Sequence, residues 1–541
     1  MGAYYKRDPK MSIFVRRIPL RLITQPLLLV VLILSFSDQC WSETFVVSEP
    51  AAVEDLALRD REFAEWNFGG GIVLEVGFMP GLYEEHHCVS LIRFDLSGLP
   101  CREVNSAKLR LYKPKCSVQM APIDVCIYQV ADKNSDWTEG SSLCEENPAA
   151  SCWHQLRKGK SWAGAEGCSK EGVDYLLSVL DVKKANVNRR QWMEFTIPAG
   201  IVQQWLDHPE KNSGLYLTSG KESTEWGNHV YFYSSEHASG KGPQLVIEGT
   251  PGTPRATGKK KACAKRKHLY PPTDAAFDKW LAEADNRYVH WTQEANMTRE
   301  QAKMIFYYDV TVRGKMLLPN CRIPLTEDIQ RLYRLIPQGD EEAVRAILKD
   351  VRKRLLYWEY IREAHWYDAG PLADVLSPLQ LGILWGKCIF GKMLNKHAES
   401  SWKRLTPDEL EDTIRNTVEK TRKQLSLTPG QAKVIDPVVA KCERLEHHYV
   451  EKFRNDLDGI QELIRQGADG EKMLNCFKSL HMNHELFLYY QSTFNTPRWT
   501  VFMENAPAIP LARMFIKARE DEYNPERTRS QIEHATKYSC H

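Results

Sequence analysis

"RFDLSGLPCREVNSAKLRLY", Arg93 to Tyr112, holds two runs in which apolar and polar residues alternate, joined by a polar connection with Gly98 and Pro100. Alternation with a period of two marks a strand with one face against a core. Extended back to "SLIRFDL", the pattern puts Ile92, Phe94 and Leu96 on one face and Leu91, Arg93 and Asp95 on the other. In "AKLRLY" it puts Leu109 and Leu111 inward, with Lys108, Arg110 and Tyr112 outward. The same period recurs in "IDVCIYQV" (Ile123 to Val130), "QWMEFTI" (Gln191 to Ile197), "SGLYLTSG" (Ser213 to Gly220), "HVYFYSS" (His229 to Ser235) and "PQLVIEG" (Pro243 to Gly249). Gly, Pro, Asn and Asp separate these runs. Many short strands in this arrangement predict a sandwich or jelly roll over residues 43–250. One short helix fits "AGIVQQWLDHP", where Ile201, Val202 and Trp205 share a face.

From Thr273 onward the period becomes 3.6. "DEEAVRAILKDVRKRLLYWEYIREAHW" carries Val344, Ile347, Val351, Leu355, Trp358 and Ile361 on one stripe. Thr298, Thr406 and Thr428 are each followed three residues later by Gln or Glu, which predicts capping boxes at three helix starts. Pro407 and Pro429 sit at the first helical position of two of them. The stretch beginning "LTPGQAKVIDPVVAKCERLEHHYV" predicts one helix of nearly 40 residues. The chain is therefore expected to be multidomain: an all-β jelly-roll sandwich followed by an all-α helical-bundle domain over 273–541.

Residues 1–42 have the pattern of a secretory signal peptide. Lys6, Arg7, Lys10, Arg16, Arg17 and Arg21 precede "LLLVVLILSF", and Cys40 and Ser42 fit a cleavage site before Glu43. The apolar run is shorter than a membrane span needs, so no membrane association is expected after cleavage. Residues 251–272 form a linker in which Arg255, Lys259, Lys260, Lys261, Lys265, Arg266 and Lys267 meet no acidic residue. Over all 541 residues the net charge is only +2, which gives no argument for a nucleic-acid partner. Seven of the 14 cysteines lie between Cys88 and Cys168. In an exported protein that density predicts one or two disulfides there.

The β region resembles the DNRLRE family of secreted β-sandwich domains, which is grouped with carbohydrate-binding modules. The matching phrases are "NFGGGIVLEVG" (Asn67 to Gly77), "SLIRFDLSGLP" (Ser90 to Pro100), "NSAKLRLY" (Asn105 to Tyr112), "VADKNSDWTEGSS" (Val130 to Ser142), "NSGLYLTS" (Asn212 to Ser219), "VYFYSSEH" (Val230 to His237) and "GPQLVIEG" (Gly242 to Gly249). The resemblance implies an extracellular jelly roll and, for some members, polysaccharide binding. One departure is a Cys-rich insertion, Cys144 to Cys168, where the family carries a W-x…R-P stretch. "LTPGQ" (Leu427 to Gln431) is similar to a motif of small periplasmic helical stress proteins, and the helical half resembles nothing else.

No P-loop, Rossmann fingerprint, G-x-S-x-G or C-x-x-C occurs, so no cofactor and no metal are expected. "EEHHC" (Glu84 to Cys88) holds ligand types, but adjacent strand residues point to opposite sides. His447, His448, His481 and His484 lie on helices without the paired Glu-x-x-His of a bundle metal site. "LLYWEYIREAHWYD" (Leu355 to Asp368), with Arg362, Glu363 and His365, carries the residue types of a polysaccharide lyase, although its apolar stripe belongs to a core. Outward cations and aromatics of the sandwich, namely Arg59, Arg61, Arg110, Tyr112 and Lys113, are the candidate contacts to an anionic glycan. The expected function is a secreted or cell-surface protein that binds an extracellular polysaccharide through its sandwich. The alternatives are a polysaccharide-active enzyme with a lyase-like helical domain, and a purely structural surface protein.

Overall fold

The computed structural model describes residues 42–79, 86–114, 122–142, 145–186, 190–220, 229–237, 239–253, 274–282, 287–307, 321–362, 375–389, 405–491 and 497–519. Nearly all of the leader, most of the linker, Glu84, Glu363, His365, Cys116 and Cys144 lie outside these residues. The strands are β1 (Glu43–Val47), β2 (Val53–Arg59), β3 (Trp66–Asn67), β4 (Val73–Met79), β5 (His86–Phe94), β6 (Cys101–Lys113), β7 (Ile123–Gln129), β8 (Glu145–Glu146), β9 (Asp181–Ala185), β10 (Gln191–Ile197), β11 (Leu215–Ser219), β12 (His229–Tyr233) and β13 (Gln244–Pro251). One helix, α1 (Ala199–Asp207), interrupts them.

Two antiparallel sheets face each other. The smaller has the order β1-β13-β6-β10 and the larger β12-β4-β5-β11-β7-β9, with β2 also paired to β5. The alternation seen in the sequence sets the layer between them. Ile92, Phe94, Leu96, Leu109 and Leu111 meet Val125, Phe195, Leu217, Phe232 and Ile247 in one buried cluster, closed at an end by Val202 and Trp205 of α1. β13 follows β6 with a break in register at Gly249. A Cβ there would fall 2.3 Å from the Glu103 carbonyl oxygen, so only glycine lets the two backbones approach.

The other side of β5 is not open to solvent. Leu91 and Arg93, on the face opposite Ile92 and Phe94, are 0% and 7% exposed. Trp137, Trp153, Leu156, Trp162, Cys168 and Tyr175, from the segment that includes the Cys-rich insertion, cover the larger sheet and form a second apolar cluster with Leu56, Leu58, Val89 and Leu91. Arg93 fastens this cover. It pairs with Glu54 on β2, donates to the carbonyls of Ser135 (2.7 Å) and Trp137 (3.1 Å), and lies 4.5 Å from the Trp137 ring centroid. The Trp137 indole N–H donates to the Ser213 carbonyl at 2.8 Å. Asp174, fully buried, gathers the rest of the segment: its carboxylate accepts from the backbone N–H of Gly164, Ala165 and Lys170 and from Asn134 Nδ2, all within 2.9 Å.

The disulfide expectation is corrected for the described cysteines. Cys88, Cys101, Cys126, Cys152 and Cys168 are buried thiols with no bridge among them. They belong to different layers: Cys101 faces the inter-sheet core, while Cys88 and Cys168 belong to the second cluster.

After the sandwich every described element is helical: α2 (Asp274–Leu281), α3 (Arg287–Glu294), α4 (Arg299–Tyr307), α5 (Ile323–Leu335), α6 (Glu341–Arg362), α7 (Pro378–Gly382), α8 (Pro407–Leu425), α9 (Pro429–Arg465), α10 (Glu471–Gln491), α11 (Pro497–Asn505) and α12 (Ala508–Arg519). The predicted capping boxes at Thr406 and Thr428 are formed, and Thr298 and Gln301 exchange the same pair of bonds. α9 is a single helix of 37 residues. The α6 stripe buries Val344, Ile347, Val351 and Leu355 against α11 and α12 residues such as Trp499 and Phe515. Among the described residues no helix is long and apolar enough to cross a membrane.

Replacing Asp174 by alanine would leave the buried Asn134 amide and three partly exposed backbone N–H groups without their acceptor. We expect a loss of about 1–3 kcal/mol in urea-unfolding stability, the cost of one stranded buried donor, since the backbone groups can turn to water. A loss below about 1 kcal/mol would show that solvent replaces the carboxylate at no cost.

Candidate functional site

With the larger sheet covered, the outer face of the smaller sheet is the one the sandwich presents to solvent. Its side chains are set by register. Trp192 of β10 stands opposite Tyr112 of β6, Glu194 opposite Arg110, and Gln244 of β13 flanks Arg110 on the other side. Trp192 meets the Tyr112 ring edge-on at 5.4 Å. Arg110 lies 4.7 Å from the Trp192 centroid, bonds Glu194 at 3.2 Å and donates to Gln244 at 3.1 Å. Lys241, from the loop before β13, sits 4.2 Å from the Tyr112 centroid. Behind Tyr112, Tyr233 stacks on His237. Cation–π contacts of this kind contribute roughly 0.5–2 kcal/mol and hold the cations along the aromatic strip. The strip offers an aromatic surface, two cations, an amide and a carboxylate within three adjacent strands, with Lys108 one position beyond and also facing Glu194.

Of the five residues singled out in the sequence, the structure brings Arg110 and Tyr112 together here. Tyr112 is largely buried, and Trp192 supplies the more open ring. Lys113 has the parity of Leu109 and Leu111 and is fully buried, so it leaves the candidate set. Arg61 is exposed in the turn after β2, away from this face, with a φ of 56°. Arg59 also leaves the set. It is 1% exposed and binds both carboxylate oxygens of Glu75 at 2.5 Å, with its guanidinium 5.3 and 5.4 Å from the rings of Phe63 and Phe68.

Next to that ion pair lie Cys88 and His229, both fully buried. Burial, with the charge of Glu75 adding to it, pushes the Cys88 thiol well up. Burial also pulls His229 down to about 4, outweighing the attraction of Glu75 3.9 Å away. The imidazole is therefore neutral at physiological pH, and its contact with Glu75 is not an ion pair.

A second group joins residues far apart in sequence. Asp55, Glu139 and Glu236 are buried, with carboxylate oxygens within 4.8 Å of one another. Glu139 accepts from the Asp55 backbone N–H at 2.9 Å, and Asp55 accepts from the Ser235 backbone N–H at 2.8 Å. Asn67 donates to the carbonyls of Glu139 and Ser151 and accepts from the backbone N–H groups of Gly69 and Ser142. A Cβ on Gly69 would fall 2.0 Å from the Glu139 carbonyl oxygen. An all-oxygen set of this kind suits a hard cation such as calcium.

In the helical half, His481 and His484 are buried on α10 against the rings of Phe477 and Phe453, as packed residues. Arg498 of α11 lies 2.9 Å from Glu443 and 4.0 Å from Glu446 on α9. Burial and the adjacent Glu443 raise Glu446 to about 7, so this carboxyl exchanges its proton near neutral pH. The side chains of Arg362 and Ile361 fall outside the described residues. No family model matches the chain, and no curated protein matches it.

The buried neutral His229 fixes a pH dependence. Its folded pKa lies below the ordinary 6.5, so the unfolded chain takes up the proton first as pH falls. Stability is expected to drop by about 3 kcal/mol between pH 6.5 and about 4 on this account. In His229→Gln the corresponding drop disappears from urea-midpoint curves taken against the native chain. Parallel curves for the two proteins would show that His229 protonates freely in the folded state.

Proposed function

We propose that this chain is a secreted or cell-surface protein whose jelly-roll sandwich, of the DNRLRE type, binds a carboxylate-bearing extracellular polysaccharide, while its helical half is a bundle serving as an interaction or structural domain. The observation that carries the reading is the Trp192–Tyr112 strip with Arg110, Lys241 and Lys108 around it, on the face left open by the covered larger sheet. Aromatic rings present an apolar surface to the C–H faces of a sugar. Arg110 and Lys241 would offer charge-assisted hydrogen bonds to its carboxylates, and Glu194 and Gln244 would accept from or bond to its hydroxyls. The family reading is supported by the way its phrases meet. The Asn67 segment, the Glu139 segment and the Glu236 segment pack around one buried polar centre, so each phrase has a structural reason for its residues.

Native gels loaded with alginate, pectate or chondroitin test the proposal. We expect retardation by at least one of them without release of unsaturated uronate ends. Trp192→Ala should weaken that retardation about tenfold, the equivalent of about 1.4 kcal/mol. Val46→Ser, on the same face but away from the strip, should leave it intact. Equal mobility with and without every polymer would overturn the proposal.

A further inference from the structure

Three side chains of different ligand chemistry converge on the larger sheet. Glu75 on β4, Cys88 on β5 and His229 on β12 come from three strands that are neighbours in the order β12-β4-β5. Gly77 of β4 is paired with His229 on one side and Cys88 on the other. Side chains paired across strands share a face, and so does Glu75, two residues from Gly77. The position at the middle of the three donors is thus a glycine, with φ 112°. A carboxylate oxygen, Sγ and a ring nitrogen lie within 4.8 Å of one another, and all three residues are buried.

We infer that Glu75, Cys88 and His229 form a three-ligand site for a thiophilic divalent metal of the zinc class. One sulfur, one imidazole nitrogen and one carboxylate is a donor set that zinc or cobalt accepts and that calcium and magnesium do not favour. Tetrahedral zinc holds its donors roughly 3.3–3.8 Å apart. The donors here are at most 4.8 Å apart, with His229 and Glu75 at 3.9 Å, so none has to close by more than about 1 Å. On binding, the Cys88 thiol gives up its proton to solvent and the thiolate bonds the metal, while His229 enters in its neutral form. The thiolate offsets one charge of the dication and Glu75 is shared between the metal and Arg59, so the occupied site carries one net positive charge. Arg59 keeps its bond to the second oxygen of Glu75 and orients it, the part that outer partners of metal-bound carboxylates play. Its own charge stays between the rings of Phe63 and Phe68. Ser90 fixes the strand at this point, bonding both backbone groups of Glu75 through its hydroxyl. All three donors are shut off from solvent, and occupation of the site would lock β12, β4 and β5 together.

The test is a cobalt titration of the full chain after chelation. The inference predicts one equivalent bound with a thiolate-to-cobalt charge-transfer band, release of one proton, and displacement of the band by zinc. Cys88→Ser abolishes the band. His229→Gln weakens binding by more than the ~10–100-fold that loss of an outer partner costs, whereas Arg59→Lys stays within that range. Cys126→Ser leaves the titration unchanged. If the ligand variants fail to fold, X-ray absorption at the zinc edge of the loaded native chain decides. A shell containing one sulfur among nitrogen and oxygen supports the site. No charge-transfer band, a band that Cys126→Ser removes, or a shell without sulfur overturns it.

Discussion

The guanidinium of Arg93 is the contact on which the arrangement of the sandwich depends. It joins a strand of the larger sheet to the segment that covers it, through Glu54, two backbone carbonyls and the Trp137 ring. A buried arginine with this many partners holds its place strongly, because any partner lost leaves a charge or carbonyl stranded away from water. Once the cover is fixed, the outer side of the larger sheet becomes interior. Leu56, Leu58, Val89 and Leu91 then form a second core, while Arg59 and Cys88, which alternate with them along β2 and β5, join Glu75 and His229 in a polar row that crosses adjacent strands with no access to solvent.

The same constraint assigns the two faces of the molecule different tasks. The covered sheet is where charged and ligating groups are held in fixed geometry. The smaller sheet retains the ordinary alternation of an antiparallel sheet with one wet face. There Trp192, Tyr112 and Arg110 meet only because β6 and β10 are paired in the register that puts Trp192 beside Tyr112. Both the proposed glycan strip and the proposed metal site follow from strand pairing, and Tyr233, beside Tyr112 and on the same strand as His229, lies between them.

The inter-sheet core was legible in the sequence. Ile92, Phe94, Leu96, Leu109 and Leu111 face inward as their alternation predicts. Helix starts were equally plain, since a capping box is a local pattern and Thr406 and Thr428 need only residues three positions on. The box at Ser377 and Gln380 escaped notice because its helix is five residues long and carries too few apolar positions to show a period. The cover escaped for a different reason. Trp137, Trp153 and Trp162 sit in irregular chain with no period, so nothing local says that they lie on Leu91 and Arg93. Arg59 was misplaced because its partner is on another strand. Lys113 is inward because β6 extends to it and keeps the parity of Leu109 and Leu111, a length the short motif does not reveal. The cysteines cluster in sequence but separate into layers, which only the pairing of the strands reveals.

Amide hydrogen exchange of Arg93→Met compared with the native chain tests this account most directly. Loss of the clamp should expose the backbone amides of residues 134–175 to fast exchange while those of Leu109, Leu111 and Phe195, in the inter-sheet core, keep their protection. If the covering segment keeps its native protection without Arg93, or if both regions lose theirs together, the clamp is not what separates the two faces.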